Sequence, residues 1–316
     1  MSELTRRILF AAAAIPLAIA IIWIGDAALA ALLGIVAAIG AWELYRIART
    51  GGTLPLERLG IPLAAAVPLI VHAHRLGVAD ASFDARPSLG DAFGSVVNLI
   101  ARGLVAPFTL SLTGAAIVVL VIFSVAIWTR GVEGKPLAAV AVTVFGIVYT
   151  GGMLSYGYAI RYHPYAVGAA AGTTLLFLPL LLTWAQDTGA YAVGRTMGRR
   201  KLIPKVSPGK TVEGAIGGIV VTLLVCWVYV RFVLVPYAQL ALAPTDIIIF
   251  AIVISVAAQI GDLAESLLKR EADVKDSSRI IPGHGGVLDR FDSLLFVLPV
   301  AYLLLGVMLI PAPGSR

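Results

Sequence analysis

The sequence contains little charge and a single cysteine. Asp, Glu, Lys and Arg make up 13% of its 316 residues, 59% are hydrophobic, and the one cysteine is Cys226. This composition is too apolar for an ordinary soluble domain, and one cysteine excludes a disulfide framework and a cysteine-based metal site. Short alternating segments typical of a transmembrane barrel are missing. The sequence therefore predicts an all-α, polytopic membrane protein, because helices satisfy their own backbone hydrogen bonds in lipid.

Long apolar runs set the organisation of the chain. Nine of them approach the ~20 residues that cross a bilayer, which predicts about nine transmembrane helices, at about 8–24, 27–47, 59–73, 109–128, 136–154, 173–193, 213–235, 245–268 and 293–310. The third run is short and broken by Pro62 and Pro68. The first is also compatible with a signal peptide cleaved near Ala28-Leu29-Ala30. No internal repeat or low-complexity linker is found, so we predict one integral membrane domain over 1–316.

The distribution of basic residues predicts the orientation. Most of the 24 Lys and Arg residues fall in alternate loops, which places the N-terminus in the cytoplasm and the C-terminus outside. The net charge of +6 therefore reflects membrane anchoring and gives no reason to expect nucleic acid as a partner. Apolar residues at helical spacing between 93 and 104, in the longest outside loop, predict an interfacial amphipathic helix. The residues that could carry chemistry concentrate in 173–310, which we predict to be the catalytic half. The N-terminal helices, 1–172, have a less specific sequence pattern.

The stretch 261–293 reads GDLAESLLKREADVKDSSRIIPGHGGVLDRFDS and is dense in charges of both signs. Such a block between two membrane-length runs is costly unless it handles a charged ligand. One helical stripe carries its first polar residues together with the residue Gln259 just before it; the stripe is Gln259, Asp262, Glu265, Ser266, Lys269 and Arg270. Glu265 and Lys269 are also compatible with a simple ion pair one turn apart. Asp262 lies a turn deeper with no basic residue within four positions, which favours a wet cavity.

A glycine-rich loop at 282–286 precedes the last apolar run and allows the backbone to approach a phosphate closely. Asp289 and Asp292 follow it, and Asp292 is compatible with a helix cap. Carboxylates from two helices are usual oxygen donors for Mg²⁺. We therefore predict Asp262 and Asp289 as a metal-binding pair.

A third group of candidates follows the sixth run. Asp187 and Tyr191 share a helical face, and Lys205, Ser207 and Lys210 lie among Pro and Gly in a pattern that favours a polyanion site. Gly209-Lys210-Thr211 is not the end of a Walker motif, because Pro204 stands where its leading glycine is required. Two basic loops and two acidic metal ligands outline a phosphoryl- or nucleotidyl-transfer site acting on a lipid phosphate.

The same residues resemble the signature of the phosphatidate cytidylyltransferases, the CDP-diacylglycerol synthases. The signature positions are Ser266-Leu267-Leu268-Lys269-Arg270, Lys275-Asp276, Pro282, His284-Gly285-Gly286 and Asp289-Arg290-Phe291-Asp292. Residues 187–191 (DTGAY) and 207–214 also match, so the resemblance is tight over about 180–293.

The resemblance implies that CTP and phosphatidic acid give CDP-diacylglycerol and pyrophosphate. It implies a homodimer in the cell (inner or plasma) membrane, with the active site open to the cytoplasm and to membrane lipid. It also implies Mg²⁺ on Asp262 and Asp289 and a monovalent cation such as K⁺ beside them.

Further candidate residues follow from this reaction. The catalytic candidates are Asp262, Asp289, Lys269, Arg270, Lys275, Arg290, His284 and Asp187. The candidate phosphate-binding residues are Lys205, Ser207, Lys210, Gly285 and Gly286. Since a phosphate monoester loses its second proton near pH ~6, no general base is needed, and His284 is expected to donate a hydrogen bond or to shape its loop.

Two alternatives belong to other classes of protein. An ion-coupled transporter would use Asp187, Asp262 and Glu265 as an intramembrane cation path, but paired interrupted helices in two related halves are missing. A CDP-alcohol phosphotransferase would need an Asp-rich helical motif that the sequence lacks. A receptor or scaffold would not need buried carboxylates.

Overall fold

The computed structural model describes residues 3–80, 112–281 and 285–312. These residues belong to two compact units, which we call the split unit (1–25 and 159–316) and the central unit (26–158). The interfacial helix predicted at 93–104 lies outside the described residues, and so does His284. Every other candidate site residue falls in the split unit.

The central unit is built from helices. In order they are α2 (Asp26–Thr50), α3 (Glu57–Asp80), α4 (Leu112–Arg130), α5 (Pro136–Gly146), a π-helical segment (Ile147–Gly152) and α6 (Met153–Arg161), whose last residues pass into the split unit.

The split unit contains the remaining helices and two small sheets. Its elements are α1 (Glu3–Ile24), α7 (Gly168–Met197), β1 (Lys201–Ile203), β2 (Ser207–Thr211), α8 (Val212–Tyr229), a π-helical segment (Val230–Ala238), β3 (Leu240–Leu242), α9 (Pro244–Glu271), α10 (Leu288–Met308) and β4 (Leu309–Pro311). Helix α7 packs on α8 and α9, and α9 packs on α10. Strand β1 pairs antiparallel with β2, and β3 pairs antiparallel with β4.

The described helices confirm an all-α polytopic fold, and the chain is a multi-pass membrane protein. Within the described residues, 7 helices are long and apolar enough to cross a membrane, and shorter apolar helices occur at Ala14–Ile24 and Gly114–Arg130. Each of the nine predicted apolar runs coincides with one of these helices. The orientation relative to the cytoplasm stays a prediction.

Helix α3 differs from the expectation that Pro62 and Pro68 break it. The helix runs without interruption from Glu57 to Asp80 with both prolines inside. Membrane helices tolerate internal proline because neighbouring helices and local adjustments satisfy the freed carbonyls. The prolines therefore do not mark a boundary.

Tyr45 organises the packing of the central unit. Its side chain is fully buried, and its hydroxyl donates to the carbonyl oxygen of Thr143 at 2.8 Å. A Cβ at Gly60 or Gly146 would lie 2.3 Å from the Tyr45 side chain, so both helices present glycine to it. The hydroxyl of Thr143 accepts from the backbone N–H of Leu56 at 2.8 Å. The α2–α3 connection is thereby tied to α5.

Helices α7 and α8 approach closely because glycines line their contact. A Cβ at Gly189 of α7 would lie 2.8 Å from Val221, and one at Gly218 of α8 would lie 2.3 Å from the amide of Gln186. Small residues at a membrane helix interface let the backbones come together, and van der Waals packing then stabilises the pair. This contact forms one wall of the candidate site.

The segment after α7 forms a hairpin, where the sequence indicated only a basic loop. Lys201 pairs with Thr211 and Ile203 pairs with Ser207. The hydroxyl of Thr211 caps α8 by accepting from the N–H of Gly214 at 3.1 Å. Glu213 accepts from the backbone N–H groups of residues 199 and 200. These bonds hold the hairpin against the start of α8.

Candidate active site

A cavity of about 430 Å³ lies where α7, α8, α9 and the β1–β2 hairpin meet. Helix α7 lines the cavity with residues spaced one turn apart, because positions i and i+4 lie on the same helix face. The lining residues are Gln186, Asp187, Ala190, Tyr191, Gly194, Arg195, Leu202, Gly209, Lys210, Thr211, Gly214, Ala215, Gln259 and Asp262. The cavity therefore combines two carboxylates, two cations, two amides and an aromatic ring.

Lys210 connects the hairpin to α9 across this cavity. Its Nζ lies 2.7 Å from Oδ2 of Asp262, and the two side chains are 24% and 34% exposed. No basic residue lies within four positions of Asp262 on α9, and the hairpin supplies one. The predicted phosphate-binding lysine and the predicted metal-binding carboxylate thus meet in one place.

Two further carboxylates, those of Asp187 and Asp292, interact electrostatically with this ion pair. The charge of Asp187 interacts with those of Asp262, Lys210 and Arg290, and the charge of Asp292 interacts with those of Asp262 and Asp187. Like charges kept this close favour the binding of cations. The structure thereby adds Asp292 to the predicted site.

Asp292 does not have the capping role that the sequence suggested. Helix α10 begins at Leu288, so Asp292 already lies inside it, and the cap position belongs to Val287. Its Oδ1 accepts from the neighbouring N–H of Ser293 at 2.6 Å. Asp289, the second residue of the helix, accepts from the N–H of Gly286 in the preceding loop.

Asp289 lies in a second cluster and accepts four close hydrogen bonds. Oδ1 accepts from Nζ of Lys269 at 2.7 Å, and Oδ2 accepts from the N–H and the hydroxyl of Ser277 at 3.0 and 2.9 Å. The N–H of Gly286 also donates to Oδ2, at 2.8 Å. Lys269 contacts Glu265 as well, so the alternative of an ion pair one turn apart is the one observed. This carboxylate therefore fixes the loop between α9 and α10.

Gly285 must be glycine in this loop. Its φ is +81°, and an added Cβ would lie 2.8 Å from Oδ2 of Asp289. A side chain here would be strained by the backbone and would collide with the carboxylate. Gly285 and Gly286 thus shape the carboxylate's surroundings.

Other predicted residues lie away from the cavity. Lys205 and Lys275 are exposed, and Ser207 pairs within the hairpin. Nε of Arg270 donates to the carbonyl oxygen of Val206 at 3.4 Å, so Arg270 contacts the hairpin tip. None of these four side chains lines the cavity.

The carboxylates suit a divalent cation whose remaining ligands come from a bound substrate. In the described part of the chain, no three His, Cys, Asp or Glu side chains lie close enough to hold a metal ion alone. Mg²⁺ is commonly held by one or two carboxylates together with substrate phosphates. Asp262 and Asp289 each already face an ammonium group at 2.7 Å, so each presents an oxygen to positive charge. The donor chemistry therefore fits Mg²⁺.

Arg195 and Gln186 were not among the predicted site residues, and both line the cavity. Arg195 follows Tyr191 by four positions and donates to its hydroxyl at 2.6 Å. Gln186 precedes Asp187 in an otherwise apolar run, and a buried polar residue there is a signal the sequence did contain.

Comparison with known proteins finds one family model that covers nearly the whole chain. A model described as the cytidylyltransferase family matches residues 5–308. The chain is similar to phosphatidate cytidylyltransferases of Bacillus subtilis, with 51% identity over 134 residues (42% of this chain, 48% of the relative), and of Staphylococcus saprophyticus, with 42% over 165 residues (52% and 58%). A third relative, from Haemophilus influenzae, shares 45% over 143 residues (44% and 48%).

These alignments span about half the length of the curated relatives that the chain matches. They give no support to the ion-coupled transporter that the intramembrane carboxylates also suggested.

Proposed function

The chain belongs to the cytidylyltransferase family, and from this premise we propose that it transfers the cytidylyl group of CTP to phosphatidic acid. The products are CDP-diacylglycerol, a phospholipid precursor, and pyrophosphate. The observation that carries the proposal is the Lys210–Asp262 pair in a cavity that also contains Asp187 and Arg195. Cations that bind phosphate and carboxylates that hold a metal ion are the groups expected in a cavity where two phosphate-bearing substrates react.

Lys210 and Arg195 would receive the polyphosphate of CTP. Both are positive groups in the cavity wall, and a preorganised cation stabilises charge that develops on phosphate oxygens during transfer. The phosphate of phosphatidic acid is the nucleophile, and its second pKa near ~6 leaves it largely ionised at neutral pH. No residue of the chain then has to remove a proton.

We propose Asp262 and Asp289 as the ligands of Mg²⁺, with Asp187 and Asp292 as further acidic groups, and a monovalent cation such as K⁺ beside them. Bound Mg²⁺ would neutralise charge on the phosphates of both substrates. Lys269 and Arg290 are proposed to contact phosphate groups at the α9–α10 end, and Gly285 and Gly286 keep the loop backbone close to Asp289.

We propose that the cavity opens to the cytoplasm in the cell membrane. The hairpin carries Lys201, Lys205 and Lys210, and positive charge favours the cytoplasmic side of a membrane protein. The homodimer that the resemblance implies stays a prediction, which light scattering on the detergent-solubilised protein would test.

The proposal is tested with purified protein, CTP labelled in its cytosine ring, phosphatidic acid and Mg²⁺. We expect label in the lipid phase and one pyrophosphate for each labelled lipid. Phosphatidic acid replaced by diacylglycerol is the control, because it lacks the attacking phosphate. No labelled lipid across several detergents, with and without K⁺, would rule the activity out.

A further inference from the structure

A network of buried and half-buried polar side chains lies beside the carboxylates of the cavity. Ser255 of α9 is 0% exposed and Gln186 of α7 is 1% exposed, and the hydroxyl of Ser255 donates to Oε1 of Gln186. Nε2 of Gln259 lies 3.4 Å from Oγ of Ser255 and 3.4 Å from the carbonyl oxygen of Ala215 on α8. These groups therefore link three helices.

This network of polar side chains lies directly beside the acidic residues. Gln186 immediately precedes Asp187 on α7, and Gln259 lies three residues before Asp262 on α9. Gly218 leaves space for the Gln186 amide, since a Cβ there would lie 2.3 Å from it. A bond between α7 and α9 at this level limits rotation of either helix about its axis. The same bond therefore limits the separation of the two carboxylates.

Buried polar side chains in membrane helices are expensive and are usually functional. Apolar residues of the same size would pack the interface without leaving polar groups to satisfy. Stability alone therefore gives a weak reason for an amide and a hydroxyl here.

We propose that Gln186, Ser255 and Gln259 are positioning residues that set the geometry of Asp187 and Asp262 by fixing α7 against α9. The inference rests on the proposed function. A displacement of about 1 Å in a reacting group can lower a rate by ~10²-fold. The bond between Gln186 and Ser255 is thus required for the rate and can be dispensed with for folding.

The test compares Ser255→Ala, Gln186→Leu and the double variant. Each single change leaves one buried polar partner unsatisfied, so it lowers the melting temperature as well as kcat. The double variant removes both partners and recovers most of the melting temperature. We expect its kcat to stay at least tenfold below wild type, with KM for CTP changed less than threefold. Thr222→Val is the matched control, because the buried Thr222 hydroxyl has no hydrogen-bond partner within the described residues, and it should keep wild-type kcat.

Recovery of both melting temperature and kcat in the double variant would overturn the proposal and leave a structural role. A second readout, the affinity for Mn²⁺ in the presence of CTP, does not depend on turnover. We expect it to weaken at least threefold in the double variant, and an unchanged affinity would also contradict the proposal. If wild-type protein makes no cytidine-labelled lipid, the proposed function fails, and the Mn²⁺ comparison still tests the positioning of the carboxylates.

Discussion

Replacing Asp289 with Asn tests the most heavily bonded carboxylate of the site. An amide has one acceptor oxygen, so it can replace either the oxygen facing Lys269 or the one facing Ser277 and Gly286. If the oxygen keeps the Ser277 and Gly286 bonds, the NH₂ group faces the Lys269 ammonium and that charge-assisted bond is lost. Such bonds contribute about 1.5–3 kcal/mol to stability. The neutral amide is also a weaker ligand for the proposed Mg²⁺, and about 1.4 kcal/mol lost in the transition state corresponds to a tenfold change in rate. We expect turnover below a tenth of wild type.

Ser277→Ala is the matched control for this prediction. It removes the hydroxyl that donates to Oδ2 at 2.9 Å but keeps the carboxylate and its contact with Lys269. We expect it to lower the melting temperature while turnover stays above a tenth. Turnover is measured as labelled lipid formed for each folded molecule, with folding followed by size exclusion. Asp289→Asn with more than a tenth of wild-type turnover and an unchanged folded fraction would refute the assigned role.

Three further predictions concern Lys210 of the hairpin, the contact between α7 and α8, and the orientation of the chain in the membrane. Lys210→Met should raise KM for CTP at least tenfold, while Lys210→Arg should keep part of the affinity; equal kinetics in wild type and Lys210→Met would contradict its phosphate-binding role. Gly218→Val should lower stability by about 1–3 kcal/mol through overpacking against Gln186, whereas Gly209→Ala, with open space around it, should not move the melting temperature. A cysteine at Lys205 should react with impermeant thiol reagents only from the cytoplasmic side, and one at Tyr237 only from outside. Because Cys226 is fully buried, the background should be low, and the reverse pattern would invert the predicted topology.

The apolar runs predicted the helices well because burial in lipid depends on composition over ~20 residues, which is a local property. Two features of the helices depend on neighbouring parts of the fold and could not be predicted from local composition. Helix α3 continues through Pro62 and Pro68, and α10 begins before Asp292. In both places the surrounding structure decides which backbone groups need partners. No single stretch of sequence carries that information.

The candidate site was predictable in its residue types and less so in its pairings. Glu265 and Lys269 pair as their spacing indicates, because residues four apart lie on one helix face. The pairing of Lys210 with Asp262 depends on where a hairpin folds, 52 positions earlier in the chain. Gln186 and Ser255 are each visible as a polar residue in an apolar run, but only the fold shows that they bond to each other.

The most direct test of the central claim follows the phosphorus atoms of CTP. Purified protein is given phosphatidic acid, Mg²⁺ and CTP that carries radiolabel either at the α-phosphorus or at the γ-phosphorus. Transfer of a cytidylyl group predicts that the α-label enters the lipid phase and the γ-label appears only in pyrophosphate. A γ-label in the lipid, or neither label there, would contradict cytidylyl transfer by this chain.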